Sequence, residues 1–193
     1  PVEDAVLSYK RNFSYVGCHP MAGKEVSGIE NACAELFDGK NMVITGNSET
    51  DEKAVETVMK LTEEMGFGYI VKCTAEIHDK KIAYTSQLAH IVSNAYVKDN
   101  EIDSCFGFTG GSFQDMTRIA GVDEEVWAAL YLANAENVTE KISSLISSLE
   151  EIKRAIAGGD AGELKKILAV GRKLFDGSKK NDGKTDISVR KLR

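Results

Sequence analysis

Along the first 74 residues the spacing of apolar positions changes period several times, and each change predicts an element. Residues 4–10 read as the end of a helix. Residues 13–18, aromatic and β-branched, read as a strand. A polar loop over 23–28 leads to a short helix over 29–37, closed by Asp38-Gly39-Lys40. Residues 41–45 predict a second strand, stopped by Gly46-Asn47. Thr50 and Asp51 then precede a helical run in which Val55, Val58, Met59, Leu61 and Met65 recur at three- and four-residue steps before Gly66. Residues 69–73 predict a third strand. This alternation of strands and helices is that of an open α/β sheet.

Past residue 75 the strand pattern stops. Residues 75–98 read as one long helix, 100–112 as a loop rich in Gly and Phe, and 113–120 as helical or turn-like. Asp123-Glu124-Glu125 form an acidic first turn, favourable where exposed N–H groups and the helix dipole meet, and the pattern they open runs to Ala157. Within it Val138, Ile142, Leu145, Leu149, Ile152 and Ile156 step 4-3-4-3-4, a heptad-like seam. Gly158-Gly159 stop it, and a last helix is expected over 161–175. Residues 178–193 are polar and net basic, so they are expected to be disordered or draped on another surface. The expected fold class is α+β and mostly helical.

Composition narrows the class of protein. With 193 residues, 42% hydrophobic and 28% charged, the chain can bury a core in one or two domains. A net charge of −6 argues against a nucleic-acid partner. No apolar run reaches the roughly 18 residues of a membrane span and no signal peptide opens the chain, so no membrane partner is expected. Cys18, Cys33, Cys73 and Cys105 show no C-x-x-C spacing, which reads as free thiols in a reducing cytoplasm. Pro1-Val2-Glu3-Asp4 read as the interior of a longer protein.

Few residues carry candidate chemistry. His19 follows an apolar run and is followed at once by Pro20. A strand that delivers a histidine to its carboxyl end would place an acid/base where open α/β sheets bind ligands; a plain hydrogen-bonded loop histidine fits the spacing equally well. His78 and His90 are twelve residues apart on the long helix and do not share a face, which argues against a two-histidine metal site there. Ser86 and His90, four apart, do share one, and His90 also fits a satisfied core position. Arg118, beyond Gly110-Gly111, suits a carboxylate or phosphate, or an ion pair with Asp115 or Glu125. Trp127 reads as a core anchor. No G-x-G-x-x-G, P-loop or G-x-S-x-G motif occurs, and no metal is expected.

Three blocks together resemble the prephenate/arogenate dehydrogenase family: His19-Pro20-Met21-Ala22-Gly23 with Glu25 and Ser27-Gly28; His78-Asp79 followed by Ser86 and His90; and Gly110-Gly111-Ser112-Phe113 with Asp115, Thr117-Arg118-Ile119-Ala120, Trp127, Asn134 and Asn137. The resemblance covers about residues 10–175. It implies oxidation of the ring hydroxyl of prephenate or arogenate, hydride transfer to NAD (with NADP open) and loss of the ring carboxylate as CO2, in tyrosine biosynthesis. It implies that His19 takes the hydroxyl proton and Arg118 holds a substrate carboxylate. His90 would line the same pocket with Ser86 and Glu25, and Pro20, Met21 and Gly23 would face the cofactor.

The resemblance also implies three regions. Residues 1–74 are a C-terminal remnant of a Rossmann-like dinucleotide-binding domain, 75–176 a helical dimerisation and substrate domain, and 177–193 a basic tail. The family's glycine-rich loop is absent, so the chain is expected to be inactive alone, and a homodimer through the helical part is expected. Gln87 stands where many relatives have a histidine, so no role is carried over to it. Two other readings stay open: a non-catalytic helical dimerisation module, and a different two-domain hydroxyacid dehydrogenase, for which Lys80 and Lys81 would be the lysine candidates.

Overall fold

The computed structural model describes residues 2–24, 26, 28–47, 49–178 and 187–192. The chain divides into two compact units at Lys81/Ile82, and its last strand belongs to the first of them.

The first unit runs through α1 (Val2–Leu7), β1 (Gly17–Pro20), two short 3-10 turns (Ile29–Asn31 and Ala34–Phe37), β2 (Asn41–Thr45), α2 (Glu52–Glu64), β3 (Tyr69–Cys73) and α3 (Ala75–Ile82), and is completed by β4 (Ser188–Lys191). The strand order is β1-β2-β3-β4. Only β2 and β3 are parallel; β1 and β4 flank them antiparallel. Side chains alternate across a strand, so Met42, Ile44 and Ile70 share one face, where they meet Phe67 and Leu192. Val55, Val58 and Met59 of α2 cover them, and Ile70 is only 1% exposed.

Local chemistry fixes where α2 begins and ends. The Asp51 carboxylate caps its start by accepting from the Lys53 N–H at 2.9 Å. Gly66, at φ +83°, turns the chain out of the helix. Gly68 passes so close to Gly39 that an added Cβ would lie 2.7 Å from the Gly39 carbonyl oxygen, so the turn before β3 requires glycine there.

Three expectations are corrected in this unit. The first strand spans Gly17–Pro20, not residues 13–18, because cross-strand pairing decides its limits: His19 sits opposite Val43 and Pro20 opposite Met42. Proline, which lacks an N–H, is tolerated at the end of this edge strand. The strand is also antiparallel to β2, so the carboxyl end of β1 lies away from those of β2 and β3. His19 therefore does not stand at a shared carboxyl edge.

The tail over 177–193 is likewise not wholly unstructured. Ser188–Lys191 pair with β3, and the Leu192 N–H donates to the Gly68 carbonyl at 2.8 Å. The physical reason is the free edge that β3 would otherwise present, together with Leu192, 6% exposed in the core. Leu192→Ala is expected to cost about 2–3 kcal/mol of stability, read as a lower urea midpoint.

The second unit begins with a π-helical stretch, Ala83–Gln87, that leads directly into α4 (Leu88–Tyr96). The predicted helix over 75–98 is thus three consecutive helical stretches. A 3-10 turn (Asn100–Asp103) precedes α5 (Gly111–Thr117), α6 (Glu124–Ala133), α7 (Ala135–Ala157) and α8 (Ala161–Ser178). The pattern read as continuous to Ala157 breaks at Asn134, whose amide bridges to Gln87 (2.8 Å) and Asn137 (2.8 Å). The Asp123 carboxylate caps α6 through the Val126 N–H at 3.0 Å. After α7 the chain turns at Gly159, φ +64°, and α8 runs through Gly177 to Ser178.

Along the α7 seam Val138 is buried, yet Leu149 is 55% exposed. On α8, Leu164, Ile167, Leu168, Gly171, Leu174 and Phe175 fall on one face by helical geometry. Leu168 is 58% and Phe175 59% exposed.

Candidate active site

In the first unit His19 lies on the sheet face opposite the α2 core, paired with Val43. One turn into α3, His78 reaches back to it. His19 Nδ1 and His78 Nε2 are 2.8 Å apart, and the rings meet edge to face at 5.1 Å. His78 Nδ1 in turn lies 2.7 Å from an Asp79 carboxylate oxygen. Burial lowers the His19 pKa below 6.5, and His78, which disfavours a second positive charge nearby, lowers it further. At neutral pH the His19 ring is therefore uncharged, the state in which imidazole accepts a proton. Burial foremost, and then the Asp79 charge, raises the pKa of the neighbouring Cys73 thiol.

Pro20 closes β1, and the Met21 N–H continues the ladder by donating to the Asn41 carbonyl at 2.8 Å. A Cβ added at Gly23 would meet nothing within 4 Å, so its backbone is open to approach. Glu25 lies outside the described residues, as does Ser27.

A cleft of about 590 Å³ opens at the carboxyl ends of β2 and β3, lined in part by Gly46, Asn47, Thr50, Lys72 and Thr74. Its rim is acidic on the α2 side, with Glu52 and Glu56, and basic on the β3 side, with Lys72. The first turn of α2 at its rim carries Glu52 and is already capped by Asp51, whose carboxyl is held low in pKa by the Ser14 hydroxyl first and the Lys53 N–H next. Negative charge at a helix start disfavours an anion there.

In the second unit α4 grips the end of α5. His90, Ser93 and Asn94 share one face of α4. His90 Nδ1 lies 3.1 Å from the Ile119 carbonyl oxygen, the Ser93 hydroxyl donates to the Met116 carbonyl at 2.6 Å, and the Asn94 amide donates to the Ala120 carbonyl at 3.2 Å. These groups tie α4 to carbonyls at and just beyond the end of α5, on either side of Arg118. The Arg118 side chain is exposed there, at the C-cap of α5. A carbonyl only accepts, so His90 Nδ1 carries a proton and, in the neutral ring, Nε2 is the acceptor. The other side of the His90 ring arrangement is aromatic: Trp127 lies against it at 3.9 Å between centroids, and Tyr131 follows at 5.5 Å from Trp127.

Ser86 sits half-buried in the π-helical stretch, a distortion frequent at functional sites. Gln87, next to it, is buried and committed at both ends. Its amide N–H donates to the Leu130 carbonyl at 3.1 Å, and its oxygen accepts from Asn134 at 2.8 Å. Gln87 thus ties the end of α6 to the start of α7.

Sequence reasoning passed over the His78–Asp79 pair as partners of His19, and Ser93 and Asn94 altogether. The pairing with His19 spans 59 positions and leaves no local signal. The i, i+3, i+4 spacing of His90, Ser93 and Asn94 is a signal that was available.

A sheet unit in which His19, His78 and Asp79 contact one another in series, joined to a helical unit that carries His90 and an exposed Arg118 and exposes apolar helix faces, defines a two-part α/β-plus-helical protein. The model for the prephenate dehydrogenase nucleotide-binding domain matches residues 1–71, and that for the prephenate dehydrogenase dimerization domain matches residues 74–170. The chain belongs to the prephenate dehydrogenase family. It is 31% identical over 160 residues to the cyclohexadienyl dehydrogenase of Zymomonas mobilis, covering 79% of this chain and 54% of that protein. It is 28% identical over 170 residues to the prephenate dehydrogenase of Bacillus subtilis, covering 86% and 46%. Among solved structures it is similar to prephenate dehydrogenase from A. aeolicus in complex with hydroxyphenyl propionate and NAD+, with a TM-score of 0.72 and 34% identity over 83% of this chain and 58% of that one. The chain spans about half the length of the curated relatives it matches.

Proposed function

We propose that the protein to which this chain belongs oxidatively decarboxylates prephenate or arogenate in tyrosine biosynthesis. A nicotinamide cofactor, NAD in the first instance, accepts the hydride. His19 removes the proton of the ring hydroxyl. Arg118 binds a substrate carboxylate, and His90 and Ser86 contact the same substrate. Loss of CO2 and aromatisation drive the reaction, so the protein's part is orientation, proton removal and placement of charge. The observation that carries this reading is the half-buried His19 ring, engaged at Nδ1 by His78 at 2.8 Å, with its pKa lowered by burial and then by His78. We further propose that the 193-residue chain does not turn over substrate by itself, since no G-x-G-x-x-G motif occurs within it. The helical unit pairs with a second copy of the chain, as its match to a dimerization domain and its exposed apolar helix faces suggest.

The test is an assay of the full-length protein with prephenate and with arogenate, each with NAD and NADP, following reduced cofactor and CO2. No turnover of either substrate, with turnover of a simple hydroxyacid, would refute the proposal. In the same assay Arg118→Ala is expected to raise KM about 10- to 150-fold with kcat little changed, the loss of a charged hydrogen bond of about 1.5–3 kcal/mol. A fall in kcat alone would assign Arg118 a different role.

A further inference from the structure

We propose that His78 and Asp79 are positioning residues for His19: together they hold its ring in the tautomer whose Nε2 is unprotonated. The inference deepens the role given to His19 and rests on that reading.

The argument follows the protons. An Asp79 carboxylate oxygen lies 2.7 Å from His78 Nδ1, and a carboxylate only accepts, so His78 Nδ1 carries the proton of that bond. In a neutral His78 ring Nε2 is then the lone-pair nitrogen. That nitrogen is 2.8 Å from His19 Nδ1. The bond between them needs one proton, which His19 Nδ1 supplies. One proton per ring satisfies both contacts and leaves His19 Nε2 as the only ring nitrogen of the pair with an open lone pair.

The same chain gives the ring somewhere to pass charge. When His19 Nε2 takes up a proton, the Nδ1 proton can move along the 2.8 Å bond to His78 Nε2. His19 is then neutral again with its proton on Nε2, and the positive charge rests on His78 against the Asp79 carboxylate. No proton is created or lost: one enters at His19 Nε2 and one crosses to His78. The acid limb of such a relay is the adjacent residue pair, so the backbone of α3 fixes its geometry.

The chain contains three histidines, which makes the test direct. Ring-nitrogen chemical shifts are measured by NMR on the intact chain at a pH high enough to keep the rings neutral, with assignments from single variants. The expected result is a proton on Nδ1 of both His19 and His78. His78→Ala is expected to shift His19 to the Nε2–H form that an unrestrained imidazole favours. His78→Gln, whose side-chain oxygen can accept from His19 Nδ1, is expected to retain the Nδ1–H form. A His19 ring protonated at Nε2 in the unaltered chain overturns the proposal, and this result needs no variant to fold. Retention of the Nδ1–H form in His78→Ala also overturns it. These readings do not depend on activity. Unchanged turnover in a His19 variant would instead refute the proposed function while leaving the tautomer assignment standing.

Discussion

Replacing His19 with asparagine in the full-length protein is expected to lower kcat by about 100- to 10,000-fold, the usual range for loss of a general base, while KM changes little. Asparagine retains a polar group able to reach His78 Nε2 but cannot accept a proton from the substrate. The loss should therefore appear in the chemical step and not in binding. The pH profile should carry the same signature. Burial and His78 both lower the His19 pKa, so the acid limb of kcat/KM that reports this group should fall below the ordinary histidine value of 6.5. The sign for stability agrees. With the folded value below the unfolded one, the unfolded chain binds more protons between the two, so stability is lost as pH falls through that window and is fully present above 6.5. Steady-state kinetics across pH checks the first point, and urea midpoints across the same pH range check the second. A raised KM with kcat intact would remove His19 from the role of base.

The double variant Leu168→Asp, Phe175→Asp is expected to turn the proposed dimer into a monomer. Both side chains lie on the apolar face of α8 and are more than half exposed in the single chain. Burying such side chains against a partner contributes about 1.5–3 kcal/mol each, and a charge placed there adds a desolvation cost. The combined loss, about 3–6 kcal/mol, corresponds to a dimer weaker by roughly 100- to 10,000-fold. Light scattering at micromolar concentration reads the result. An unaltered chain that is monomeric, or a variant that stays dimeric, would move the interface off α8.

Much of the first unit was legible because its signals are local. The strand over residues 41–45 and its neighbour over 69–73 alternate clearly, and Asp51 and Gly66 bracket the helix between them with their own chemistry. The direction of β1 was not legible, since a strand's sequence does not say which way its partner runs. The edge strand Ser188–Lys191 was hidden by the charge around it, and only its place beside β3 accounts for it. In the helical unit the periodicity across Asn134 is continuous, so the break there comes from the side-chain bridge to Gln87, which no single-helix pattern encodes. His19, His90 and Arg118 stood out as chemistry-bearing types at element ends. What holds each in place did not, because His78 and Ile119 are remote from their partners in sequence.

The last strand has a consequence for biosynthesis. The sheet of the first unit closes only when Leu192 reaches the core beside Phe67 and Ile70, and that residue follows the whole helical unit in the chain. On the ribosome the helices from α4 to α8 emerge before the sheet can be completed, and β3 waits with one edge bare. Such an edge is a template for pairing with other nascent chains. A chain lacking residues 188–192 would leave that edge of β3 unpaired, so loss of this segment should show itself first as aggregation during expression.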